Sequence, residues 1–281
     1  DRMRPKEYID KVRQREIFDP VLLFQLSNDF HVRKVMRNYL PNDEESKHFA
    51  CLLQWDNIYY QEPTEEYISP KTTVRVGLVQ WQMRSYKTLD DLFEQVEFFV
   101  DSVSGYQSDF VLFPEYFNAP LMARFNDASE SQAIRGLARY TDEIRERFIN
   151  LAIRYNINII TGSMPLIKED GLLYNVGFLC RRDGTYEMYE KLHVTPDEMK
   201  CWGLSGGKAI RTFETDCAKI GVLICYDVEF PELSRIMASE GMQILFVPFL
   251  TDTQNAYSRV RVCAHARAIE NECFVVIAGS V

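Results

Sequence analysis

From residue 74 onward, short apolar runs alternate with stretches in which apolar residues recur every three or four positions. Each run is bounded by polar or turn residues and has the length and branched-residue content of a buried strand. The runs are "VRVGLVQ" (74–80), "DFVLFPE" (109–115), "NINIITGS" (156–163), "AKIGVLIC" (218–225), "QILFVPF" (243–249) and "CFVVIAGS" (273–280). Helical spacing is clearest in Leu89, Leu92, Phe93, Val96, Phe99, Val100 and Val103. It returns in Ile144, Phe148, Leu151, Ala152 and Tyr155. A third helix starts at Pro231, with Leu233, Ile236 and Met237 on one face, and a fourth runs from about Ser258 to Asn271. "LLYNVGFLC" and "YEMYEKLH" read as a hairpin joined by Arg182-Asp183-Gly184. Alternating β and α units with one hairpin predict an α/β layered fold.

The first 62 residues form a separate unit. The N-terminal stretch is charged and helical in pattern, and Asp19-Pro20 is a helix start, with Asp as cap and Pro at the first position. "KHFACLLQW" alternates Phe49, Cys51, Leu53 and Trp55 on one face, which predicts a strand. "QEPTEEYISPKTT" carries two prolines, several charges and little apolar content. The linker is placed within it, at residues 63–72.

Composition narrows the function. Of 281 residues, 46% are hydrophobic, enough for a large core. The net charge of -9 argues against a nucleic-acid partner. No apolar run is long enough to cross a membrane, and the charged N-terminus is not a signal peptide. The seven cysteines include no CxxC pair and mostly sit in apolar segments, which predicts a reducing, cytoplasmic setting. The four histidines are scattered without ligand spacing, so no metal is expected.

Three predicted strands end in a residue capable of chemistry: Glu115, Lys191 and Cys225. The C-terminal edge of such a sheet is where sites assemble. A carboxylate can take a thiol proton, and an ammonium can favour the thiolate and stabilise an oxyanion. Singly, each has a plainer reading. Cys225 could be a core cysteine, Glu115 a helix-start carboxylate, and Lys191 a solvated charge at a strand edge.

Together, "LFPEYF", "YEKLH", "LICYDVEFPE" and "ARAIENECFVVIAGS" resemble the nitrilase superfamily of carbon–nitrogen hydrolases, in order, over roughly residues 73–281. The resemblance implies an α-β-β-α sandwich and a Glu115–Lys191–Cys225 triad. Glu198, in "HVTPDEMK", fits the second glutamate of many members. Glu229 and Glu232 read as helix-start charges, and Asp227 as a residue that fixes the turn by local hydrogen bonds. The implied chemistry is thioester-forming hydrolysis of a linear amide, carbamoyl or related C–N bond. The oxyanion would be held by Lys191 and the backbone N–H of Tyr226, without cofactor. A homo-oligomer is also implied, and the chain ends where members usually continue through further strands.

Residues 1–62 resemble the C-terminal half of a GNAT-type N-acetyltransferase domain. Such domains are found fused ahead of nitrilase-type domains. The glycine-containing loop that cradles a pyrophosphate is absent, since residues 1–62 contain no glycine, and Asp29 stands where related sequences often have one. Acetyl-CoA binding is therefore not expected of these residues, and a scaffold or dimerisation role stays open. Two other functions remain in view. One passes the acyl group of the thioester to an amine, and the other is a non-catalytic binding module.

Overall fold

The computed structural model describes residues 3–39, 43, 44, 46–55, 73–125 and 127–280. The chain divides into two compact units, Asp1–Ile68 and Ser69–Val281. The linker expected at 63–72 lies outside the described residues.

The first unit contains α1 (Pro5–Arg13), α2 (Pro20–Ser27), β1 (His31–Arg37) and β2 (Phe49–Gln54). The Asp19 carboxylate caps α2 by accepting the Leu22 N–H at 2.9 Å. β1 and β2 pair antiparallel, and Val32, Val35, Cys51 and Leu53 pack on Ile9, Val12 and Leu22. The apolar pattern does not reveal β1, because its register shifts between Val32 and Lys34 and breaks the period of two. Trp55 falls one residue past β2 and is 52% exposed, so it does not extend the core face expected of it.

The second unit opens with β3 (Val76–Leu78), α3 (Leu89–Gly105), β4 (Phe110–Leu112), α4 (Glu130–Leu137) and α5 (Thr141–Arg154). It continues with β5 (Asn158–Ile160), β6 (Met164–Ile167), β7 (Leu173–Cys180), β8 (Tyr186–Glu190) and β9 (Leu204–Ser205). It ends with β10 (Thr212–Glu214), β11 (Lys219–Val222), α6 (Pro231–Ser239), β12 (Ile244–Phe249), α7 (Gln254–Asn271) and β13 (Phe274–Gly279). One sheet has the order β3-β4-β5-β7-β6, with β8 and β9 also paired to β7. The other has the order β10-β11-β12-β13. β3, β4 and β5 run parallel, as do β11, β12 and β13.

Side-chain alternation along β4 defines the layers. Val111 and Phe113 pack with Leu92 and Val96 of α3 and Phe148 of α5. Phe110 and Leu112 point the other way, into a core shared with Ile220, Val222 and Phe246 of the second sheet. The Phe110 and Phe246 rings sit 5.3 Å apart between the sheets. Met237 of α6 and Val260 and Ala264 of α7 join the same core. The result is the layered α-β-β-α arrangement expected from the sequence.

Helix starts follow local chemistry. Thr88 and Asp91 form a reciprocal capping box at α3. Helix α7 begins at Gln254, four residues before the apolar pattern shows it. Its N-cap Thr253 accepts the Ala256 N–H at 3.2 Å, but its first turn is polar.

The backbone just before Glu115 is fixed by a close approach. Gly162 has φ 71°, and a Cβ there would lie 2.0 Å from the carbonyl oxygen of Pro114. The Tyr189 hydroxyl donates to the Gly162 carbonyl at 2.6 Å. A methyl group cannot be fitted without moving Pro114, and with it Glu115. Gly162→Ala is expected to cost on the order of 2–3 kcal/mol, from the left-handed backbone and the clash combined. Denaturant unfolding of wild type and variant checks this, and equal midpoints would refute it.

Candidate active site

Three connections bring the predicted residues together. Glu115 follows β4, and its segment is pinned to the one after β5 by the Tyr116 N–H, which donates to the Ser163 carbonyl at 2.9 Å. Lys191 directly follows β8, and its N–H donates to the Asn175 carbonyl on β7 at 2.9 Å. Cys225 follows β11 and begins a short 3-10 turn, Cys225–Glu229, that leads into α6. Tyr116 (φ 50°) and Cys225 (φ 48°) both adopt the left-handed region, which is uncommon for residues other than glycine. Such backbone persists only where the surroundings over-determine it.

The side chains converge. The Lys191 Nζ lies 2.9 Å from Glu115 Oε1 and 2.7 Å from Glu198 Oε1. Glu115 also accepts from the Asn175 amide at 3.0 Å and from the Leu250 N–H at 2.9 Å. The Cys225 Sγ lies 3.7 Å from the carbonyl oxygen of Leu250, the residue whose N–H donates to Glu115. Glu198 accepts from the Thr195 N–H at 2.7 Å and from the Tyr116 hydroxyl at 3.3 Å. All four residues expected from the sequence are therefore in one network. Glu115 and Lys191 are 2% exposed, Glu198 7% and Cys225 8%, so water screens their charges little.

Burial sets the protonation balance. It raises the Glu115 pKa, aided by the Glu198 charge and opposed by Lys191. It pushes the Cys225 thiol well up, with the Glu115 charge adding and Lys191 opposing. Burial alone would lower the Lys191 pKa, but Glu115 and Glu198 outweigh it, so the ammonium is held firmly charged. Burial thus disfavours the charged form of both Glu115 and Cys225, and the Lys191 ammonium opposes that shift in each.

The thiol opens onto a cavity of about 630 Å³, lined among others by Tyr116, Thr195, Trp202, Tyr226 and Arg259. Tyr226 follows the thiol in the 3-10 turn, and its ring meets Phe230 edge-on at 5.1 Å. Glu232 lies in the first turn of α6, as expected. Glu229 does not act there as a helix-start charge. It lines the cavity and pairs with Arg259 at 3.4 Å, because the 3-10 turn carries it past the sheet edge before α6 begins. Asp227 also departs from expectation. Its carboxylate accepts the N–H groups of Leu192 and His193, far away in sequence, at 3.1 and 2.7 Å.

Other contributors are not evident from the sequence reading. Asn175 is a polar residue inside the fully buried strand β7, and that was its available signal. Leu250 contributes only backbone groups, which no side-chain pattern announces. Arg267, in "ARAIENECF", is 5% exposed and donates to the Val228 and Glu229 carbonyls at 3.0 and 3.3 Å. It thereby anchors the 3-10 turn to α7. Among the described residues, no group of three or more His, Cys, Asp or Glu is arranged to hold a metal ion. No helix among them is long and apolar enough to cross a membrane.

Residues 75–281 match the family model for carbon-nitrogen hydrolase. The whole chain aligns with the probable hydrolase YhcX of Bacillus subtilis (strain 168), 43% identical over 282 residues, covering 100% of this chain and 55% of that protein. The chain thus spans about half the length of that relative. Omega-amidase NIT2 of Homo sapiens is 30% identical over 218 residues, 74% of either chain. Among solved structures, the carbon-nitrogen hydrolase from Helicobacter pylori G27 shares the fold with TM-score 0.64 at 21% identity, covering 74% of this chain and 73% of that one. An amidase from Nesterenkonia sp. does so with TM-score 0.63 at 23% identity, covering 74% and 76%. The match over 75–281 takes in all three strand-end residues and the cavity they share, and the chain belongs to the carbon-nitrogen hydrolase family.

Proposed function

We propose that the second unit is a cysteine-dependent hydrolase of linear amide, carbamoyl or related non-peptide C–N bonds, working through a thioester. The observation that carries this reading is the convergence of Cys225, Glu115 and Lys191, all three buried, on the lining of one cavity, with Lys191 paired to Glu115 at 2.9 Å. Glu115 accepts the Cys225 proton as sulfur attacks the carbonyl carbon. The C–S bond forms and the carbonyl electrons move to oxygen. Lys191 and the Tyr226 backbone N–H stabilise that oxyanion. The C–N bond then breaks, and the amine departs with the proton from Glu115, leaving a thioester. Water attacks the thioester and gives its proton to Glu115. The C–S bond breaks, the acid leaves, and the proton returns to Cys225. Glu198 gives the Lys191 ammonium a second carboxylate partner at 2.7 Å, which helps to keep it charged and in place.

The family supports this reading, as does the similarity to the human omega-amidase. A panel of small amides and carbamoyl compounds, read by ammonia release, identifies the substrate. Cys225→Ala should abolish release, and Lys191→Met should lower it by on the order of a hundredfold or more while keeping the fold. A folded Lys191→Met variant with near-normal turnover would remove Lys191 from the mechanism. Adding hydroxylamine should divert the acyl group to a hydroxamate. Preferential transfer to a supplied amine over water would favour acyl transfer instead.

The pH profile tests Glu115. Protonated Glu115 cannot accept the thiol proton, so the rate falls as pH drops through its pKa. Burial raises that pKa. The acid limb of kcat/KM should therefore be centred above the ordinary glutamate value of about 4.3. A limb centred below that value would contradict Glu115 as the base.

A further inference from the structure

Asp227 lies two residues after Cys225 and is fully buried. Its Oδ2 accepts the Leu192 N–H at 3.1 Å, and its Oδ1 accepts the His193 N–H at 2.7 Å. The His193 ring returns to the same carboxylate, with Nδ1 3.0 Å from Oδ1. That ring also stacks on Phe230, with centroids 3.7 Å apart and planes 11° apart. Phe230 is the last residue before α6, and its N–H donates to the Asp227 carbonyl at 3.1 Å. One turn thus carries Cys225, Asp227 and Phe230, and the other carries Lys191, Leu192 and His193. The backbone of Lys191 is engaged elsewhere, through its N–H to Asn175 and its carbonyl to Gly207. The two N–H groups that follow it go to Asp227.

We infer that Asp227 is a positioning residue that sets the placement of the Lys191 ammonium relative to the Cys225 thiol by clamping the two turns together. This rests on the reading of Cys225 and Lys191 as the reacting pair. A carboxylate suits the task because it is acceptor-only, with two oxygens for three donors. An asparagine has one acceptor oxygen, and its NH₂ would face an N–H donor. A buried ion of this kind is costly unless it is fully hydrogen-bonded, and here each oxygen has a partner.

The test reads the thiol directly and needs no substrate. Cys225 labelling by limiting iodoacetamide is followed by peptide mass mapping in wild type, Asp227→Asn, Lys191→Met and the double variant. The ammonium favours the thiolate, so Lys191→Met should slow labelling by about tenfold for each unit by which the thiol pKa rises. Asp227→Asn should slow it in the same direction, by about threefold or more, and should add nothing in the Lys191→Met background. His193→Ala removes one of the three bonds and should give a smaller slowing, likewise absent in that background. A variant that merely loosens the fold exposes the buried thiol and labels faster.

Wild-type or faster labelling of folded Asp227→Asn would overturn the inference, as would equal slowing in both backgrounds. If Asp227→Asn does not fold, His193→Ala decides, and no slowing there overturns it. Wild-type labelling of Lys191→Met would instead sink the Lys191 assignment itself, a result separable from the failure of the clamp.

Discussion

The site depends on one ion cluster: a lysine ammonium shut away from water between two carboxylates. Taking such charges out of water costs several kcal/mol per ion, and the pairing must recover it. The recovery is visible here. Lys191 has a carboxylate oxygen within 3 Å on either side. Each carboxylate has further donors, from Asn175 and Leu250 on Glu115 and from Thr195 and Tyr116 on Glu198. Removing Lys191 would leave two buried carboxylates without the cation they share, so the cluster depends most on the lysine.

That requirement explains the use of two sheets. Glu115 and Lys191 come from the ends of β4 and β8 in one sheet, and Cys225 from the end of β11 in the other. The apolar packing between the sheets, such as Phe110 on Phe246, holds their edges in register. Leu250, just past β12, joins them by donating its N–H to Glu115 and turning its carbonyl to Cys225. Arg267 holds the thiol-bearing turn from the helix side. The layers therefore do mechanical work at the site, fixing distances that short loops alone could not.

Much of this was legible in the sequence. A buried apolar run, then a cysteine, then a proline opening a helix, locates the Cys225 turn from local chemistry, while its role as a nucleophile is implied only by the resemblance of four segments taken together. The positions of Glu115 and Lys191 at strand ends were equally readable, because an apolar run ends at Pro114-Glu115 and the second strand of a hairpin ends at Lys191. What escaped depends on tertiary pairing. Nothing near Asp227 indicates that its partners are 34 and 35 residues earlier. Glu229 has the composition of a helix-start charge, and only the extra 3-10 turn sends it to Arg259. β1 was hidden by its bulge, and the start of α7 by a polar first turn.

The Lys191 cluster carries a further consequence. Counting formal charges, one ammonium and two carboxylates beside a neutral thiol sum to minus one. In the proposed reaction the thiol proton moves to Glu115, the negative charge shifts from oxygen to sulfur and the sum is unchanged. Electrostatic work in a poorly screened interior is greatest when net charge is created or removed. The proposed step would only relocate a charge within the site, around the Lys191 cation. The surrounding dipoles would then face nearly the same total before and after, so that step would ask for little rearrangement of the protein.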